Sequence, residues 1–265
     1  AYGDYDAIMT LSQQAITEVK WWQANLTSAS SSLYDPPDPD IFIYTDASNL
    51  GWGAHTSAKV SNGRWSDEEA KLHINVLELM AIEFGVKCFY RDAHRHIRVM
   101  CDNTTAIAYI HNMAGQQSKL CHWTAKRIWE FCINHNLWLS AAHIPGLKNT
   151  VADDASRNFQ DHTEWMIPDS TFQLIVQKWG QPSMDMFASR LNKKMLPYAA
   201  YKPDPEACAI DCFSISWRDH FPYLFPPFSA NIIWRALSKV RAEWLVCTFT
   251  CYSDYVLFLD IVLLL

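Results

Sequence analysis

Residues 41–56, IFIYTDASNLGWGAHT, carry the clearest indication of the fold class. The first seven residues, 41–47, are mostly β-branched or aromatic, which predicts a strand that is buried on both faces. The letters SNLG predict a turn, after which residues 51–56 return as a second strand. A further turn at 61–63 and a third strand at 63–66 complete the pattern. The stretch therefore opens a three-stranded antiparallel meander.

The sequence after the meander alternates between helical and strand periodicity. The predicted elements are a helix at 74–90, a strand at 97–101, a helix opening at 103–105, a helix at about 118–135, a strand at 137–144 and a helix at about 148–157. The order is β-β-β-α-β-α-α-β-α. It predicts an α/β protein with a mixed five-stranded sheet and flanking helices.

Composition shifts divide the chain into four segments. Residues 1–27 form a helical segment, with a helix at 7–26, and residues 28–40, SASSSLYDPPDPD, are a linker because serine, proline and aspartate disfavour regular structure. The ordered pattern occupies 41–159. Beyond it, residues 160–265 are predicted to be a small C-terminal accessory region of uncertain fold.

The overall composition limits the classes of function. Hydrophobic residues make up 49% of the 265 residues and charged residues 19%, which predicts a packed core. The net charge is 22 − 28 = −6, so the chain lacks the basic footprint of a protein that binds nucleic acid by charge alone. The apolar tail 255–265 is too short to span a bilayer, so no membrane partner is expected. Cysteines without a secretory context favour a cytoplasmic or nuclear location.

Four carboxylates fall at positions where the predicted elements meet. Asp46 and Asp102 end the first and fourth strands, Glu78 lies within a helix, and Asp153 lies near the start of the last helix. Each residue has an ordinary structural explanation, as a turn former, a solvated helical side chain or a helix N-terminal acid. Together at one sheet edge they would repel one another unless divalent cations compensated. The pattern therefore predicts a site for Mg²⁺ or Mn²⁺, with two ions.

This order of elements, with these residues, resembles the type 1 ribonuclease H fold of retroelement polyproteins. The resemblance covers 41–159, and its nearest form is the domain of DIRS-like (tyrosine-recombinase) retrotransposons. It rests on the segments YTDAS (44–48), HINVLELMA (73–81), MCDNTTAIAYI (100–110), HIPG (143–146) and NTVADDASR (149–157). Residues 21–26, WWQANL, resemble the connection to an upstream polymerase, and residues 183–192, SMDMFASRLN, resemble sequence downstream of the domain.

The resemblance implies an endonuclease that hydrolyses the RNA strand of RNA–DNA hybrids. Its four metal-binding carboxylates correspond to Asp46, Glu78, Asp102 and Asp153. The implied partners are the hybrid and a reverse transcriptase domain upstream in the same polyprotein. Ala1 in place of an initiator methionine leads us to expect a fragment of a longer chain.

Several finer assignments follow from the same resemblance. A mobile histidine ten residues before the last aspartate corresponds to His143, since 153 − 143 = 10, with a role in proton transfer or product release. Asp154 is a rival to Asp153 as fourth ligand, because helical neighbours point about 100° apart. Ser48 and Asn103 are weak candidates for contacting the 2′-hydroxyls or phosphates of the substrate, and turn formation and helix capping explain them equally well.

Two other functions remain open. A catalytically inactive scaffold from a decayed or truncated element would keep the fold without the activity. A transposase or integrase of related fold would use the order Asp, Asp, Glu, with the glutamate on a late helix. Here Glu78 is the second acid in the chain, which favours the ribonuclease H order.

Overall fold

The computed structural model describes residues 8, 10–26, 38–93, 96–113, 115, 117–159, 165–243 and 248–249. The chain divides into two compact units, 1–37 and 38–265. Helix α1, Gln13–Asn25, lies in the first unit and begins where the Ser12 hydroxyl accepts a hydrogen bond from the N–H of Ala15. It buries no side chain, and it is shorter at its start than the predicted helix. Residues 28–37 of the predicted linker lie outside the described residues.

The second unit begins with the nine helices and strands that the sequence predicts, in the predicted order. They are β1 (Ile41–Ala47), β2 (Gly51–His55), β3 (Val60–Arg64), α2 (Ile74–Phe89), β4 (His96–Cys101), α3 (Thr104–His111), α4 (Lys119–Asn134), β5 (Trp138–His143) and α5 (Thr150–Arg157). The strands form one sheet in the order β3-β2-β1-β4-β5. Strands β1, β2 and β3 are antiparallel, whereas β1, β4 and β5 are parallel. The predicted α/β architecture, a mixed five-stranded sheet with flanking helices, is confirmed.

Helices α2 and α5 cover opposite faces of this sheet. Neighbouring strand residues point to opposite faces. Ala54 of β2 faces α2, where it lies close to Gly85, whereas Gly53 faces α5. A Cβ atom at Gly53 would lie 2.3 Å from the carbonyl oxygen of Ala152, so the close approach of α5 to the sheet requires glycine here. This approach brings α5 near the end of β1.

The predicted turn at 61–63 is wrong, because these residues belong to β3. The β2–β3 connection turns at Thr56, whose hydroxyl accepts hydrogen bonds from the N–H groups of Ala58 and Lys59. Ser61 and Asn62 have low strand propensity, but β3 is an edge strand and their side chains bond to neighbouring segments. Asn62 donates to the carbonyl of Ala155 in α5. Tertiary hydrogen bonds thus outweigh local turn preference.

The C-terminal part of the second unit contains short parallel strands and two helices. They are α6 (Asp169–Trp179), β6 (Met184–Asp185), β7 (Ala199–Ala200), β8 (Ala209–Ile210), β9 (Pro222–Leu224), α7 (Ala230–Glu243) and β10 (Thr248–Phe249). Strands pair in the order β10-β9-β6, and β7 pairs with β8. Trp217 lies fully buried in the main core of this part. Among the described residues, no helix is both long and apolar enough to cross a membrane.

Arg190 joins the C-terminal part to the edge of the five-stranded sheet. Its guanidinium forms an ion pair with Glu69 at 2.8 Å, donates to the carbonyl of Arg64 at the end of β3, and lies 4.8 Å from the ring centre of Phe84. Burial opposes ionisation of Glu69, but hydrogen bonds and the charge of Arg190 outweigh it, so the pKa of Glu69 is lowered. The contact shields one end of an edge strand.

Replacing Arg190 by methionine is expected to destabilise the protein. The methionine keeps most of the apolar stem but leaves the largely buried Glu69 without its partner, which costs about 2 kcal/mol of unfolding free energy. Urea denaturation at pH 7 measures this value. Lys71→Met, which breaks the exposed pair with Glu68, is the matched control and should change stability by less than about 0.5 kcal/mol. Equal losses in the two variants would contradict the anchoring role of Arg190.

Candidate active site

Asp46, Glu78 and Asp102 meet at one edge of the sheet. Each offers a carboxylate oxygen, and these three atoms lie within 4.8 Å of one another. Asp46 is next to last in β1 and Asp102 directly follows β4. Since Tyr44 pairs with Met100 in the parallel ladder, the two aspartates, each two residues further on, lie level with each other. Glu78 reaches the same point from the second turn of α2.

Burial and mutual repulsion make this cluster unusual for acids. Asp46 and Glu78 are 6% and 5% exposed. Desolvation is the largest influence on Asp46; a hydrogen bond from Ser156 opposes it, the charges of Asp102 and Asp153 add to it, and its pKa is raised to about 6. Desolvation, with repulsion from Asp46 and Asp102, raises the pKa of Glu78 to about 9. Such shifts mark carboxylates that lack a compensating positive charge.

One oxygen of Glu78 shows that the cluster fits a divalent cation. Oε2 of Glu78 is buried and has no hydrogen-bond partner among the described residues. A buried, unpaired carboxylate oxygen is costly unless a cation or donor satisfies it. Oxygen atoms are the ligands that Mg²⁺ and Mn²⁺ prefer, and three converging carboxylates supply them. Asp46, Glu78 and Asp102 could therefore hold a metal ion.

Asp153 adjoins this cluster but is not one of its three members. It is in the first turn of α5, where its carboxylate forms an ion pair with Arg157 at 2.8 Å. Its charge nevertheless contributes to the raised pKa of Asp46. Asp154 is exposed, and its carboxylate accepts a hydrogen bond from Asn158. The structure therefore favours Asp153 over Asp154 as a fourth carboxylate.

His143 lies at the carboxyl end of β5, beside the cluster. It pairs in register with Cys101, the residue before Asp102, and it is exposed. The following loop approaches Asp102 closely, because a Cβ atom at Gly146 would lie 2.9 Å from Oδ2 of Asp102. The register thus places His143 on the strand next to that of Asp102, at the same end of the sheet, with an exposed side chain.

The structural explanations of Ser48 and Asn103 are both observed. Ser48 is 4% exposed, and its hydroxyl accepts hydrogen bonds from the N–H groups of Leu50 and Gly51 in the β1–β2 turn. Asn103 caps α3 by accepting a hydrogen bond from the N–H of Ala106. The Asn103 amide also donates to Asn75 at 3.0 Å and remains partly exposed. Buried and committed to the turn, Ser48 has no free group for substrate.

Ser156 and Asn149, at the two ends of α5, also belong to the site. Their residue types alone did not predict this. Ser156 is fully buried, and its hydroxyl lies 2.8 Å from Oδ2 of Asp46. Asn149 is 1% exposed and donates to the carbonyl of Thr45 at 2.9 Å. A sequence signal existed for Ser156: it follows Asp153 by three residues, so both lie on one side of the helix.

The comparisons with known proteins give distant structural similarities only. No protein-family model matches the sequence, and no curated protein matches it. The RNase H1 of the halophilic archaeon Halobacterium salinarum is 16% identical, covering 43% of this chain and 92% of that chain, with a TM-score of 0.37. LC11-RNase H1, solved in complex with an RNA/DNA hybrid, is 19% identical with the same coverage and TM-score. The protease-reverse transcriptase of prototype foamy virus is 12% identical over 53% of this chain and 20% of that chain, with a TM-score of 0.27.

The raised pKa values predict how the stability of the metal-free protein depends on pH. The folded state binds more protons than the unfolded state from about pH 4.5 to about pH 9 for Glu78, so the free energy of unfolding falls as pH rises through this window. Glu78→Gln removes the charge and is expected to gain about 2 kcal/mol at pH 8 relative to the wild type.

Thermal unfolding in EDTA between pH 4 and pH 9 checks this expectation. The advantage of Glu78→Gln should disappear near pH 4, where the wild-type carboxyl is protonated in both states. Glu130→Gln, at an exposed position on α4, is the control and should show no such pH-dependent gain. A Glu78→Gln curve parallel to the wild-type curve would contradict the assignment.

Proposed function

We propose that this protein is a metal-dependent endonuclease that hydrolyses the RNA strand of RNA–DNA hybrids. The observation that carries the proposal is the convergence of Asp46, Glu78 and Asp102, with Oε2 of Glu78 buried and unpaired. If these acids had only a structural role, their arrangement would be unfavourable, because repulsion and desolvation destabilise the charged carboxylates without compensation. A metal site explains why these acids lie together.

The three carboxylates would hold divalent cations, Mg²⁺ or Mn²⁺, with Asp153 as a fourth contributor. When bound, two ions at such a site stabilise the attacking and leaving oxygens of a phosphodiester. Asp153 would have to exchange its ion pair with Arg157 for this role, and its 47% side-chain exposure leaves it free to move. Arg157 would then be available to an anionic substrate at the rim of the site.

We propose that His143 handles a proton at this rim. Its side chain is exposed, and the residue pairs in register with Cys101, which directly precedes Asp102. An imidazole changes charge near neutral pH and is suited to protonating a leaving 3′-oxygen or to assisting product departure. The partly exposed amides of Asn103 and Asn75, bonded to each other next to Asp102, offer polar groups toward a ribose 2′-hydroxyl.

The resemblance of the sequence supports the substrate class and the wider context. The acids follow the ribonuclease H order, with glutamate second and aspartate last, rather than the Asp-Asp-Glu order of transposases. We further propose that the chain is a module of a retroelement polyprotein, working with an upstream reverse transcriptase in the cytoplasm or nucleus. The net charge of −6 favours this arrangement, because a polymerase domain would supply the affinity that this chain lacks.

Cleavage of a labelled RNA–DNA hybrid by the full chain tests the proposal. With Mg²⁺ or Mn²⁺ the wild type should cut the RNA strand, and Asp102→Asn should lose about a hundredfold or more, since a metal ligand supplies several kcal/mol of transition-state stabilisation. Single-stranded RNA and DNA duplex of the same sequence should remain uncut.

A pair of neighbouring variants provides the matched control. Asp153→Asn should reduce the rate at least about tenfold, whereas Asp154→Asn, on the exposed side of α5, should stay within about twofold of the wild type. A wild-type chain that folds but leaves the hybrid intact with Mn²⁺, even at high protein concentration, would support the inactive scaffold instead. Cleavage of the DNA duplex in preference to the hybrid would point to the transposase-like alternative.

A further inference from the structure

A buried hydrogen bond joins α5 to the end of β1. The Ser156 hydroxyl is fully buried and lies 2.8 Å from Oδ2 of Asp46 and 2.9 Å from the carbonyl of Asp153. Its single proton can serve only one of these acceptors fully. An ionised carboxylate is the stronger acceptor, so the proton favours Asp46 when that acid is charged.

The position of Ser156 is itself held by the turn that follows Asp46. Ser48, two residues after Asp46, donates its hydroxyl to the backbone carbonyl of Ser156 at 2.6 Å. The same hydroxyl accepts the N–H groups of Leu50 and Gly51, so it is anchored within the β1–β2 turn. Ser48 and Ser156 therefore connect the turn, the helix and the carboxylate in one buried chain of hydrogen bonds.

The other end of α5 is tied to the residue before Asp46. Asn149 donates to the carbonyl of Thr45, and Gly53 lets the helix backbone approach β2 without a clash. The helix is thus attached on both sides of Asp46. A donor on a rigid, doubly attached helix can set the orientation of a carboxylate, because neither the helix nor the strand end can move away from it.

We propose that Ser156 is a positioning residue, which orients the Asp46 carboxylate toward the metal site shared with Glu78 and Asp102. The inference rests on the proposed function and deepens it. Without the donor, repulsion from Asp102 would favour rotation of the Asp46 carboxylate away from the cluster. With Oδ2 held by Ser156, the carboxylate stays aimed at the site before any metal arrives. Outer groups that orient metal ligands in this way typically contribute 10–100-fold to metal affinity.

Metal binding by the full chain, measured by calorimetric titration with Mn²⁺, tests the assignment without relying on activity. Ser156→Ala should weaken Mn²⁺ binding by about tenfold. In the cleavage assay it should raise the Mn²⁺ concentration needed for half-maximal rate by a similar factor. The rate at saturating Mn²⁺ should stay within about threefold of the wild type, since excess metal restores the site and Ser156 does not touch the substrate.

Ser140→Ala is the matched control for the loss of a serine hydroxyl from the same part of the chain. Ser140 lies on β5, and its hydroxyl interacts with His96 and Arg98, neither of which belongs to the cluster. Both variants are first compared by thermal unfolding in EDTA. Ser140→Ala should bind Mn²⁺ like the wild type even if its melting temperature falls as far as that of Ser156→Ala.

Three results would overturn the positioning role. One is Mn²⁺ binding by Ser156→Ala within twofold of the wild type, and another is an equal loss in Ser140→Ala, which would indicate general loosening. In either case cleavage by the wild type and its loss in Asp102→Asn would leave the proposed function standing. The third is a folded wild-type chain that binds no Mn²⁺, which would remove both proposals together.

Discussion

Mutual repulsion among buried carboxylates governs how the elements around them must be arranged. Asp46 and Glu78 are brought together at a sheet edge where water is largely excluded, and Asp102 adds a third charge. The raised pKa values of Asp46 and Glu78 measure how poorly the metal-free protein tolerates this arrangement. The fold must therefore keep the acids in place despite their mutual repulsion. The resulting cost in free energy is concentrated at the site, where a bound cation would relieve it.

Rigid attachments on several sides explain how the acids are held. The parallel pairing of β1 with β4 sets Asp46 level with Asp102, and the fully packed helix α2 carries Glu78. Helix α5 is tied to both sides of Asp46 through Asn149 and Ser156. The C-terminal part also supports this sheet, because Arg190 anchors it to the end of the edge strand β3. A site keeps its side chains in a precise geometry only when residues outside the site support them.

Periodicity and turn chemistry were sufficient to predict the element order of residues 41–159. Strand β1 and helix α2 have long, regular apolar patterns, and their boundaries agree with prediction to within a residue. The turn at 61–63 was wrong because the letters SNG favour a turn locally, while Asn62 and Ser61 gain partners only in the folded protein. The fold of 165–243 was beyond reach, since its strands are mostly two residues long and show no period.

Local periodicity and the order of elements were enough to predict the fold class and to assign the acids to strand ends and helices. Which of these acids meet depends on tertiary packing. It joined Asp46, Glu78 and Asp102, set Asp153 in an ion pair beside them, and committed Ser48 to a turn. It also revealed the contact of Ser156, whose hydroxyl donates to the carboxylate of Asp46, 110 residues away in the sequence. Such contacts depend on the docking of α5 onto the sheet, which no local pattern encodes.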